Sequence, residues 1–156
     1  MTSSDAAVRD GATEPQPLRR IRLVLALLAS ATAVGGLVEL AMLRHWDAPI
    51  QLLPWMVLVV VAVVGVLTAR GGSTRLAQAT GLAALLTGGI GVLVHLLENL
   101  DYGDDLAQYA QTWEAMPFLE RLWLVLNGTV TYAPTLAPGM VALSGVILFI
   151  SVLDRR

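Results

Sequence analysis

Hydrophobic residues are grouped along this chain in four long runs that short polar segments separate. The runs cover residues 22–43, 50–69, 76–97 and 136–153. At about 1.5 Å per residue, the 21 positions from Leu23 to Leu43 extend over about 31 Å, which matches a bilayer hydrocarbon core of about 30 Å. The pattern predicts an all-α integral membrane protein, an up-down-up-down bundle of four transmembrane helices.

The first 20 residues have a different character. They are mostly polar, contain Pro15 and Pro17, and have no regular spacing of apolar residues. Such a segment cannot bury enough apolar surface to offset the entropy lost on ordering. We therefore predict a disordered tail over residues 1–20 and one transmembrane domain over residues 21–156.

The first apolar run also has the features of a secretory signal. Arginines precede a leucine-rich stretch that contains the small-residue pattern Ala31-Thr32-Ala33. The apolar stretch continues for ten residues past that pattern. A retained helix is therefore favoured over a cleaved signal.

The third run is rich in small residues. Gly81, Ala84 and Gly88 recur at helical spacing, which allows transmembrane backbones to approach closely, and predicts that this helix lies at the centre of the bundle. In the turn before it, Gly71 is suited to end the second helix, and Ser73 or Thr74 to cap the third.

A short amphipathic helix is predicted over residues 117–126, before the last run. Its apolar side chains lie on one helical stripe, formed by Phe118, Leu119, Leu122, Trp123 and Leu126. We expect this helix to lie in the membrane interface. A re-entrant hairpin that continues to Tyr132 is the alternative.

Composition agrees with a membrane protein and excludes several classes of function. The chain is 56% hydrophobic and 14% charged, against about 45–50% and about 25% in soluble domains. A net charge of -2 without a basic patch argues against nucleic-acid binding, and the lack of cysteine excludes disulfides and thiolate sites. All ten basic residues are arginine, which together with the abundance of Ala, Leu and Val suggests a bacterial source.

Arginine distribution predicts the orientation in the membrane. With the N-terminus inside, eight arginines are cytoplasmic and two, Arg44 and Arg121, are outside. This difference follows the positive-inside rule. We therefore predict a multi-pass protein of the bacterial inner membrane with both termini in the cytoplasm.

Polar residues gather where this orientation places the outer ends of the first and third helices. The candidate site residues are Glu39, Arg44, His45, His95, Glu98, Asn99 and Asp101. Glu39 lies about 7 Å below the surface, where a carboxylate costs about 2.5–3.5 kcal/mol and needs a partner. We expect a polar network that joins the first and third helices and binds a partner protein or a ligand.

Other chemistries of this cluster stay open. His95 and Glu98 share a helix face at spacing i, i+3, and with His45 they are candidate ligands for zinc or non-haem iron. A proton path through Glu39 and His95 lacks a polar continuation in the cytoplasmic halves of the helices, and a haem ligand at His45 would stand on a turn. The tryptophans predict an outer aromatic belt, with a lipid or quinone pocket as the alternative.

No hydrolase, zinc-protease or nucleotide-binding motif occurs, and the sequence requires no cofactor. We therefore predict a non-enzymatic membrane protein, with a metal-binding protein or a metal-dependent membrane enzyme as the alternative. Its partners would be the lipid bilayer, another membrane protein or further copies of the chain.

Three short patterns resemble small four-span bacterial membrane proteins. They are E-L-A-M-L-R-H-W with Q-L-L-P-W between Glu39 and Trp55, H-x-x-x-N at His95 and Asn99, and P-T-L-A-P-G from Pro134 to Gly139. The resemblance covers most of the chain after residue 35. It implies the four-span fold and no particular activity.

Overall fold

The computed structural model describes residues 15–134 and 137–153, and within these ranges the protein is all-helical without a strand. This part of the chain forms five α-helices: α1 (Gln16–Met42), α2 (Leu52–Ala69), α3 (Thr74–Tyr102), α4 (Phe118–Leu126) and α5 (Ala137–Ile150). Two short 3-10 helices, Pro49–Gln51 and Trp113–Ala115, lie in the connections. The all-α prediction is confirmed.

Among the described residues, three helices are long and apolar enough to cross a membrane. They are Gln16–Met42, Thr74–Tyr102, and α2 together with the 3-10 turn before it, Pro49–Ala69. The fourth predicted run contains α5, a helix of 14 residues, which extends for about 21 Å. By length, α5 alone is shorter than a hydrocarbon core of about 30 Å.

The first helix begins earlier than the sequence pattern predicted. It starts at Gln16, so residues 16–20 of the predicted tail are helical, while residues 1–14 lie outside the described residues. Pro17 stands in the first turn, where a helix needs no backbone N–H donor from it. Pro15 and Pro17 therefore mark the start of a helix, and the predicted disordered tail does not extend through residues 16–20.

The third helix continues past the end of its apolar run. It ends at Tyr102, five residues beyond the predicted boundary at residue 97. After residue 97 the side chains become more polar, but the backbone stays helical up to Tyr102, with Gly103 as the C-cap. The polar residues His95, Glu98 and Asn99 therefore all stand on regular helix.

Both predicted signals in the turn between α2 and α3 are present. Gly71 has φ 93°, and the N–H of Gly72 bonds to the carbonyl of Leu67, which forms a Schellman cap. Ser73 then caps α3, because its hydroxyl accepts a hydrogen bond from the N–H of Leu76. This short connection brings α2 and α3 side by side.

The end of α1 has the same cap with an unusual residue. Arg44 has φ 50°, in the left-handed region, and the N–H of His45 bonds to the carbonyl of Leu40 at 3.0 Å. Glycine is the usual residue at this position of a Schellman cap because it lacks a Cβ. The arginine therefore holds a mildly strained backbone that turns His45 back over the helix end.

α5 packs against α1, α2 and α3, and α2 likewise contacts the other three long helices. α3 makes its main contacts with α5 and α2, so the predicted central position of α3 is wrong. Its small residues do have the predicted effect. A Cβ added at Gly81 would come within 2.7 Å of the Gly145 carbonyl oxygen, so the backbones of α3 and α5 lie in direct contact.

Hydrogen bonds show which helix ends meet. The guanidinium of Arg22 near the start of α1 donates to the carbonyl of Leu153 after α5, at 2.8 Å. Trp55 near the start of α2 donates its indole N–H to the carbonyl of His45 after α1. We name these two ends of the bundle the arginine end and the histidine end.

Residues 103–134, which we name the cap, have a small core of their own against the end of α3. Trp113, Val125 and Val130 are almost completely buried and pack with partly buried residues of α3 such as Leu100. Gly103 lies against the Trp113 ring, where any Cβ would overlap the indole. The cap is therefore a folded layer that packs against the end of α3.

Candidate functional site

Asn99 is the most deeply buried polar side chain at the histidine end, with no exposed surface. Its amide oxygen accepts hydrogen bonds from the backbone N–H groups of Tyr132 (2.7 Å) and Ala133 (2.8 Å), and its amide nitrogen donates to the carbonyl of Ala133 (2.8 Å). The side chain thus satisfies a buried piece of irregular backbone in the way that a neighbouring strand would. Asn99 holds the last part of the cap against α3.

His95 lies one turn before Asn99 on α3 and contacts the same segment. Its Nδ1 lies 3.1 Å from the carbonyl oxygen of Pro134. A carbonyl can only accept, so Nδ1 carries the proton in this bond, and in the neutral ring Nε2 is left as an acceptor. The two side chains together hold residues 132–134 just before α5 begins.

His45 approaches His95 from the turn after α1. The two ring centroids are 6.3 Å apart, and the rings are tilted by 59°. Partial burial and repulsion from His95 lower the pKa of His45 below its ordinary value of 6.5, and Glu98 opposes this with an attraction that raises it. Both of the lowering effects disfavour a charged His45 beside His95.

The remaining predicted residues lie at the same end but have fewer contacts. Glu39 is half-buried on α1 and Arg44 is exposed; within the described part of the chain neither side chain makes a hydrogen bond or an ion pair. Glu98 and Asp101 are exposed on the last turns of α3. The expected network from α1 to α3 is thus reduced to the two histidines, whereas Asn99 and His95 bond to the chain that leads into α5.

Trp113 differs from the aromatic belt that was expected of the tryptophans. It is 1% exposed, and its indole N–H donates to the carbonyl of Leu100 at 3.0 Å. Arg121 on α4 lies over the same ring, 5.9 Å from its centroid, and its guanidinium is 3.9 Å from the exposed carboxylate of Glu114. Trp113 is therefore the core residue of the cap, which sequence spacing could not distinguish from an interfacial tryptophan.

Residues of α4 divide between the cap core and the surface. Val125 is buried, and Leu124 is partly buried against the same core. The predicted stripe faces outward: Phe118, Leu119, Trp123 and Leu126 are between 56% and 75% exposed, and Leu122 is half-buried. α4 therefore has apolar side chains both toward the cap core and on its exposed face.

The candidate metal ligands do not gather into a set of three. Among residues 15–134 and 137–153, no group of three or more histidine, aspartate or glutamate side chains is arranged to hold a metal ion. His45 and His95 are near each other, with Glu98 close enough to influence His45 electrostatically. Of these three side chains, His95 contacts the loop at Pro134, His45 stands in the turn after α1, and Glu98 is exposed on α3.

Comparisons with protein-family models, with curated proteins and with solved structures find no match for this chain.

Proposed function

We propose that this chain is a multi-pass protein of the bacterial cell membrane with four transmembrane segments. We infer the fourth segment from the positions of its two ends. The carbonyl of Pro134 bonds to His95 at the histidine end, and the carbonyl of Leu153 bonds to Arg22 at the arginine end. From Thr74 to His95, α3 covers about 31 Å between the same two ends of the bundle, which supports a fourth crossing between Pro134 and Leu153 although α5 itself is short.

In this proposal the arginine end faces the cytoplasm. Arg19, Arg22, Arg70 and Arg75 all lie at the arginine end of α1, α2 and α3, whereas Arg44 and Arg121 belong to the other end and the cap. Positively charged residues remain on the cytoplasmic side during insertion. The cap then lies outside, together with its exposed carboxylates at Asp104, Asp105 and Glu114.

The role we propose is non-enzymatic: the cap forms an outer face for a membrane-bound partner, and the polar cluster fixes that face to the bundle. Asn99 is the observation that carries this proposal. Both ends of its amide are bonded to backbone atoms of the cap, and it has no exposed surface on which a substrate could act. A buried, hydrogen-bonded side chain of this kind supports a structural role.

The first partner of the cap in this proposal is the bilayer, which the exposed face of α4 contacts. Leu119 and Trp123 are 75% and 65% exposed, and they stand on a short helix beside the end of α3. Tryptophan and leucine on one face of an interfacial helix enter the headgroup region of a membrane. A second membrane protein, or a further copy of this chain, would meet the part of the cap that faces away from lipid.

Cysteine labelling tests the topology. The chain lacks cysteine, so single-cysteine variants at Asp104 in the cap and at Ser73 at the arginine end give unambiguous signals. An impermeant thiol reagent added to intact cells should label Asp104→Cys, and should label Ser73→Cys only after the cells are opened. Labelling of Ser73→Cys alone in intact cells would reverse the proposed orientation.

A metal-binding role is the second candidate, and one feature of His95 favours it. Histidines that bind metals commonly donate their other ring N–H to a carbonyl, as Nδ1 of His95 does to Pro134. Nε2 is then available beside His45. Elemental analysis of the purified wild type and the His95→Ala variant separates the two candidates. A stoichiometric metal that is present in the wild type and absent from the variant would favour metal binding.

A further inference from the structure

Two cavities of the bundle meet at Arg70, which follows α2 at the arginine end. One is an apolar groove between α1 and α2 with a volume of about 620 Å³, lined by Ala31 and Val34 on one side and by Val63 and Val66 on the other. The second cavity, of about 250 Å³, lies between the start of α1 and the end of α2. Arg70 lines both of them.

The smaller cavity is basic. Arg19 and Arg22 from α1 line it together with Arg70, and the hydroxyl-bearing residue Ser151 lies on the side of α5. No aspartate or glutamate of the described residues lines either cavity. Arginine guanidinium groups bind phosphate oxygens through paired hydrogen bonds, so this cavity is suited to a phosphate group.

The groove continues from the basic cavity along the apolar surface of the bundle. From Ala62 to Arg70 it follows α2 for about 12 Å, and its floor is close-packed because the Ser30 hydroxyl donates to the Ala62 carbonyl at 2.9 Å. Side chains on both rims, such as Val34 and Val63, are exposed. A single hydrocarbon chain fits such a groove, and its polar end would lie at Arg70.

We infer that an anionic phospholipid of the cytoplasmic leaflet binds here, with one acyl chain in the α1–α2 groove and its phosphate between Arg19 and Arg70. The inference rests on the proposed membrane topology, which places the arginine end at the cytoplasmic surface. Basic pockets between transmembrane helices on that side are known binding places for anionic lipid headgroups. Charge complementarity selects phosphatidylglycerol or a similar lipid over a zwitterionic one.

Arg22 has a different part in this site. Its guanidinium already donates to the Leu153 carbonyl, so it joins α1 to the segment after α5. Arg19 and Arg70 are exposed and supply the charge for the headgroup. Arg70 is the critical residue because, among the arginines of residues 15–134 and 137–153, it is the one that lines both cavities.

Thermal melts of the detergent-purified protein test the inference. Phosphatidylglycerol added to the neutral detergent should raise the melting temperature by about 5–10 °C at about 100 times its dissociation constant, whereas phosphatidylcholine should not. Arg70→Gln should lose most of this rise. Arg75→Gln is the matched control, since Arg75 is exposed at the same end, carries the same charge and lines neither cavity.

A second pair of variants tests the groove while all arginines are kept. Ala31→Phe places a ring in the groove and should also abolish the phosphatidylglycerol effect. Ala83→Phe makes the same change on the exposed surface of α3, away from both cavities, and should leave the effect intact. Loss in Ala31→Phe alone would connect the acyl chain to this groove.

Four results would overturn the inference: equal effects of the two lipids, equal losses in Arg70→Gln and Arg75→Gln, the same rise with inorganic phosphate, or a lower melting temperature of Arg70→Gln than of Arg75→Gln before any lipid is added. The last result would mean that Arg70 pairs within the chain. Protein that is found outside the membrane fraction contradicts the proposed topology, whereas protein extracted from membranes that shows no lipid preference contradicts only the lipid site.

Discussion

Replacement of Asn99 by alanine should release the end of the cap from α3. The change removes at least three hydrogen bonds, two accepted from the N–H groups of Tyr132 and Ala133 and one donated to the Ala133 carbonyl. A hydrogen bond contributes about 0.5–1.5 kcal/mol net, so the loss should be about 3 kcal/mol. Because Ala133 is buried, water cannot fully replace the lost partner.

Hydrogen exchange is the suitable assay, because the effect is local. A loss of about 3 kcal/mol corresponds to about 100-fold faster exchange at the amides of Tyr132 and Ala133. Asn99→Asp should not restore protection, since a carboxylate cannot donate to the Ala133 carbonyl and would place a charge where no surface is exposed. Asn127→Ala, which removes an exposed hydrogen bond to Thr129, is the control and should leave these amides unchanged.

Exchange at Tyr132 and Ala133 within twofold of the wild type in Asn99→Ala would refute the reasoning. It would mean that the core around Trp113 and Val130 holds the cap without help from Asn99. The non-enzymatic role that we assign to the polar cluster would then lose its main support.

Two further predictions concern the bundle and the histidine pair. Gly88→Ala should lower the melting temperature, since its Cβ would come within 2.6 Å of the Pro138 carbonyl oxygen. Gly89→Ala is the control and should be neutral, because a Cβ there has no neighbouring atom within 4 Å. Equal melting temperatures of the two variants would argue against the close contact of α3 with α5. Burial and His95 lower the pKa of His45, so the folded protein binds this proton less tightly than the unfolded chain. Stability should therefore be fully present above pH 6.5 and fall at lower pH, and melts at pH 5 and pH 7.5 should show a smaller fall in His45→Gln than in the wild type.

Much of the helical framework follows from hydrophobicity and local capping. The apolar runs mark α1, α2 and α3 because helices in contact with lipid need apolar side chains over most of their length. Gly71 and Ser73 were recognisable because left-handed backbone and N-caps favour those residue types. The helix ends at Gln16 and Tyr102 were missed, because there the backbone stays helical while the side chains become polar.

The partners within the polar cluster could not be read from spacing. Asn99 is 33 and 34 residues away from the backbone groups that it binds, and the path of the chain through the cap decides that they meet. The same path buries Trp113 against Leu100, while Trp123 stays exposed. Residue types and helical faces limit the candidates, but loops of this length set which of them come into contact.

The contact of α1 with α5 has a consequence for how the protein is made. Arg22 and Leu153 are 131 positions apart. The surface of α1 that contacts α5 therefore has no partner until the residues between them have been synthesised. Contacts this distant in sequence form late and slowly. A chain whose synthesis stops before residue 137 would therefore leave the surfaces of α1, α2 and α3 that contact α5 without their partner.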